Sequence, residues 1–280
     1  GELDINNQEA GDRTTYHEPL SVGGCFKLVE RLKKDNFEVQ GLRFEKRLKK
    51  EENIVFVDPA GPDQRKDVPE DAYAVVLAGP SEQMSKETLD ALERYVDKGG
   101  RLLVFFDTIF DEKYTRMRVS GFEDFLRKYG VDVRPEYAIM VPVQGVTRDP
   151  RDAFVSTPAR AETLLAKQFG RAIFFTARVI KTLPPSGPYK ADVLFQLDPA
   201  KRMAFWSESD PKAIANIDAY WRDVVRNQDK LEDKIMKEPL PVAVTVTQGM
   251  GELAKPRMVI FGDADFILND ERQLRVMYDI

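Results

Sequence analysis

The densest apolar stretches of the chain are short and sharply bounded. Ala72–Ala78 is a continuous apolar run that ends at Gly79-Pro80, and it predicts a strand covered on both faces, as in a parallel sheet. Ser85 then offers an N-cap, with Glu87 in the first turn where a negative charge suits the helix dipole. Leu89, Leu92, Tyr95 and Val96 lay an apolar stripe along the helix that follows. Gly99-Gly100 stops that helix in the manner of a left-handed cap. Leu102–Phe106 is a second apolar strand and ends at Asp107. Strand, helix and strand at this spacing predict a βαβ unit. Met258–Phe261 is a third strong strand and runs into Gly262-Asp263-Ala264-Asp265.

Elsewhere the periodicity is weaker. Cys25, Leu28, Val29 and Leu32 recur at helical spacing and predict a helix over Ser21–Asn36. Phe37–Phe44 alternates like a strand, with its register disturbed at Gly41-Leu42. Arg43–Glu52 is a mixed charge run, read as a solvated loop or helix face, and Ile54–Val57 is a short apolar run behind it. Phe122–Tyr129 predicts a helix ended by Gly130, with an extended segment from Val131. From Pro135 to Pro188 short apolar runs lie among Pro and Gly without a clear period. Asp192–Leu197 reads as a strand, Pro211–Lys237 as a surface helix, and Val242–Val246 as a half-buried strand. Gly1–Pro19 is a polar lead-in.

Composition narrows the function classes. The chain has 280 residues, 42% hydrophobic and 32% charged, which is a soluble globular balance. Its net charge of −5 argues against sequence-independent nucleic-acid binding, which needs a basic surface. One cysteine and one histidine exclude a disulfide framework, a thiolate zinc site and a His-rich metal cage. No apolar run reaches bilayer length and no signal peptide opens the chain. Gly1 stands where a start methionine would, so the expectation is a fragment trimmed from a longer protein.

Carboxylates are the chemistry left. Asp107, Asp263 and Asp265 follow apolar strands, and in open α/β sheets ligands lie beyond the carboxyl ends of the strands. Carboxylates converging there can hold Mg²⁺ or Ca²⁺ through oxygen. The competing reading is that each caps its own turn. Cys25 and His17 allow a Cys-His pair by spacing, yet Cys25 falls on the apolar stripe of its helix and reads as core. Phe205-Trp206 and Tyr220-Trp221 are either a binding platform or core packing. No nucleophile elbow, P-loop or dinucleotide fingerprint is present.

Three strings in order carry a resemblance. Ala74–Pro80, Leu89–Tyr95 and Gly99–Asp107 form the first, Pro239–Val244 with Arg257–Phe266 the second, and Ala204–Asp210 a fainter third. Together they resemble the extracytoplasmic part of GldG-family proteins, auxiliary subunits of an ABC-type transport system linked in some bacteria to gliding. Tyr16-His17-Glu18-Pro19 departs from the Gly-His-Gly-Glu string of that family. The resemblance implies a flavodoxin-like or class I glutamine-amidotransferase-like α/β fold, a three-layer sandwich with a mostly parallel sheet, without the amidotransferase's catalytic residues. It implies ABC permease and ATPase subunits as partners. It also implies a position on the extracytoplasmic, periplasmic face of the membrane, anchored by helices absent from this chain.

The expected organisation is one α/β domain over 1–280, with a core from 20–135 and 241–280 and an inserted α+β elaboration over 136–240. The leading function is a non-enzymatic ligand- or partner-binding accessory domain that needs no cofactor. The alternative is a metal-dependent hydrolase or carbohydrate-active enzyme. In either case Asp107, Asp263, Asp265 and His17 are the candidate ligand-binding residues. The sequence leaves the oligomeric state and the convergence of the carboxylates open.

Overall fold

The computed structural model describes residues 25–42, 66–80, 82–111, 113–142, 150–157, 171–185, 187–199, 203–217, 232–249 and 251–267, with shorter pieces at 44, 48–51, 54–57, 219–220, 222 and 227. His17 and the lead-in over 1–19 lie outside the described residues.

The predicted βαβ unit is present. Strand β3 (Val75–Ala78), helix α2 (Lys86–Asp97) and strand β4 (Leu102–Phe105) follow α1 (Phe26–Lys34) and a hairpin of β1 (Leu48–Glu51) and β2 (Ile54–Val57). Ser85 caps α2 by accepting from the Thr88 N–H at 3.2 Å. Gly99, at φ 99°, ends it. At Gly100 an added Cβ would stand 2.4 Å from the Tyr95 ring, so the second glycine is needed for close approach while the left-handed turn falls on Gly99. Strand β3 pairs β4 in parallel, and β4 pairs the last strand, β12 (Lys255–Phe261), also in parallel.

The expectation of a flavodoxin-like or amidotransferase-like sandwich with a mostly parallel sheet is corrected here. The seven-stranded sheet runs β3-β4-β12-β11-β9-β6-β7, and only its first two pairings are parallel. Strand β11 (Leu240–Gln248) pairs antiparallel with β12 and with β9 (Tyr189–Leu197), and β6 (Asp152–Ser156) pairs antiparallel with β9 and with β7 (Arg171–Phe175). The physical reason is that an apolar run reports burial of both faces, and burial says nothing of strand direction. Val242–Val246, expected to be half-buried, is buried at every position inside this antiparallel region. Conversely β3 lies at the edge of the sheet, and its Val76 is exposed.

A second, three-stranded antiparallel sheet covers that region. It runs β10-β5-β8, from β5 (Val131–Pro142), β8 (Arg178–Thr182) and β10 (Met203–Glu208). Its Ala138, Val179 and Phe205 pack with Leu194, Val242 and Ala243 of the large sheet. Helix α2 and the short α3 (Phe122–Arg127) build a separate core with Val104, Val244 and Ile260. On the outer side of β5 and β10, Ile139 and Trp206 pack with Ala213 of α4 (Pro211–Ala215).

Other expectations change as well. Phe37–Leu42 pairs with no strand among the described residues, despite its alternation. The charge run over Arg43–Glu52 contains β1, which reads Leu-Lys-Lys-Glu and pairs β2. No helix among the described residues is long and apolar enough to cross a membrane.

Candidate functional site

Strands β4 and β12 are neighbours in register, with Phe105 opposite Phe261. Asp107 and Asp263 therefore occupy equivalent positions, each two residues past its strand end. The β7–β8 turn passes directly over them. Thr108 donates its hydroxyl to the Thr176 carbonyl at 2.6 Å, and the Arg178 N–H donates to the Gly262 carbonyl at 2.7 Å. Thr176 holds φ at 48°, a left-handed conformation unusual for a β-branched residue. Strand β7 closes the far edge of the large sheet, so its turn reaches Asp263 only because the sheet curls round on itself.

The carboxylates serve this closure. Asp263 is buried and uses both oxygens, accepting from the Phe175 N–H at 2.7 Å and from the Asp265 N–H at 2.8 Å. One carboxylate thus pins the end of β7 to the 3₁₀ turn Asp265–Ile267. Asp107 accepts from the Thr108 N–H at 2.7 Å. Burial pushes the Asp263 carboxyl well above the ordinary carboxylate range, and the charges of Asp265 and Asp107 push it further. Burial also raises Asp107, against the pull of the Thr108 N–H and the Arg178 charge. Asp263 feels the charges of both Asp265 and Asp107, yet among the described residues no three His, Cys, Asp or Glu side chains are grouped as a metal site requires. Cys25 is buried, and desolvation lifts its thiol to about 11, so it sits as a small core residue.

Behind the turn lies a feature the sequence did not announce. The Arg178 side chain is buried, with its guanidinium 2.7 Å from Glu123 and donating to the Arg134 carbonyl at 3.2 and 3.3 Å. It also lies 5.0 Å over the Phe106 ring. The other Glu123 oxygen accepts from the Ser120 N–H and hydroxyl, each at 3.0 Å. A charge embedded in Ala177-Arg178-Val179-Ile180 was the available signal, because an arginine inside an apolar run implies a buried partner.

Another buried acid, Glu208, ties the outer layer together. It accepts from the N–H groups of Ser209 and Asp210, from Lys234 at 2.7 Å, and from the Tyr220 hydroxyl. Trp206 and Phe205 are buried core residues, which settles the platform question for that pair. Trp221 lies outside the described residues.

Next to the carboxylates lies an open pocket of about 350 Å³. Thr108, Ile109, Phe110, Asp111, Tyr114, Arg118 and Ile214 line it. None of Asp107, Asp263 and Asp265 is among its walls.

The fold is similar to a solved structure titled "mmIFT52 N-terminal domain", with a TM-score of 0.53 and 12% identity, covering 90% of this chain and 83% of that one. At that identity the likeness concerns the fold alone. No curated protein matches the sequence. The sequence model of one family, described as ABC-type uncharacterized transport system, matches residues 34–279, and the chain belongs to that family.

Proposed function

We propose that this chain is a non-enzymatic accessory domain of an ABC-type transport system and works by binding a partner or ligand through loops beyond its strand ends. Family membership supports the association with a transport system. The observation that carries the rest is the β7–β8 turn. Where an open α/β sheet receives its ligand, this chain lays its own backbone, and Asp263 spends both oxygens on backbone N–H groups. Resemblance to the gliding-associated auxiliary subunits supports a site of action on the extracytoplasmic face, with anchoring helices in the longer protein. Strands β9, β6 and β7, all from 136–240, extend the sheet of β11 and β12, which supports one unit over 1–280 with that segment as an integral elaboration.

The test is affinity capture of the tagged full-length protein from native membranes. Recovery of the system's ATPase and permease subunits is the expected result. Their absence from detergent extracts that retain the tagged protein overturns the reading.

The rival, a metal-dependent hydrolase or carbohydrate-active enzyme using the strand-end carboxylates Asp107, Asp263 and Asp265, draws on one observation. Mutual repulsion among the carboxylates is what a divalent cation would relieve. Thermal melting with added Mg²⁺, Ca²⁺ or Mn²⁺ decides it. A stabilisation abolished by Asp263→Ala favours the rival, and no metal effect on the unaltered protein eliminates it.

A further inference from the structure

We draw no further inference here: the strongest candidate, the outer edge of the apolar strand β3 with Tyr73 and Val76 exposed along it, carries nothing because nothing in the structure shows what covers it.

Discussion

Gly262 stands so close to Arg178 that a Cβ built on it would lie 2.2 Å from the Arg178 carbonyl oxygen. The Arg178 N–H meanwhile donates to the Gly262 carbonyl at 2.7 Å. Neither backbone can retreat, because Gly262 also donates to Val242 and the Arg178 side chain is locked inside the core. Gly262→Ala should therefore destabilise the protein by about 3 kcal/mol or more, the range of severe overpacking in a core. Urea denaturation measures it, and a midpoint unchanged from the unaltered protein would show that the two strands are free to move apart.

The Arg178–Glu123 pair predicts a coupling. Arg178→Met leaves Glu123 buried with only the Ser120 groups as partners, a loss of about 3–5 kcal/mol. Adding Glu123→Gln removes the orphaned charge and keeps an oxygen for Ser120. The double variant should thus be more stable than Arg178→Met alone. Strictly additive losses in a double-mutant cycle would show that the pair does not interact.

These two relationships also mark where sequence reading stopped. Helix α2 was legible from Ser85, Leu92 and Gly99 because a cap, a stripe and a stop are local signals. The strand-end positions of Asp107 and Asp263 were legible for the same reason. What lies over them was not, since Thr176 and Arg178 come from a distant part of the chain with no period of its own. The alternation over Val242–Val246 was read as half-buried and left strand direction open, and the parallel expectation failed there, where the strand is buried between antiparallel neighbours. Phe37–Leu42 shows the reverse error, an alternation without a partner strand among the described residues.

Asp263 should give the fold an acid-favouring component. Its carboxyl titrates above the ordinary 3.8 in the folded state, so the folded protein binds more protons than the unfolded chain between those two values. Stability contributed by this group is full below 3.8 and falls as pH rises through the raised folded value. Asp263→Asn abolishes that fall, at the cost of facing one backbone N–H with an amide donor. The stability advantage of the unaltered protein over Asp263→Asn should accordingly be largest at the acid end and shrink as pH rises. A difference that is constant with pH would mean the carboxyl is not strained by its neighbours.

Glu208 should behave in the opposite sense. Burial alone would raise its carboxyl, but hydrogen bonds from Lys234, Tyr220 and the Asp210 N–H outweigh burial and hold it below the ordinary 4.5. The unfolded chain then binds more protons in the window below 4.5, so the stability this group contributes is present above that value and is lost as pH falls through the lowered folded value. Glu208→Gln keeps one oxygen but sets an amide donor against the remaining donors, with Lys234 left without its carboxylate. A loss of about 2–3 kcal/mol at neutral pH follows from hydrogen bonds to a charged group. That loss should diminish toward acid pH, where the Asp263→Asn loss is greatest. Denaturation of both variants across one pH series checks the pair together, because a shared solvent or unfolded-state effect would bend both curves the same way.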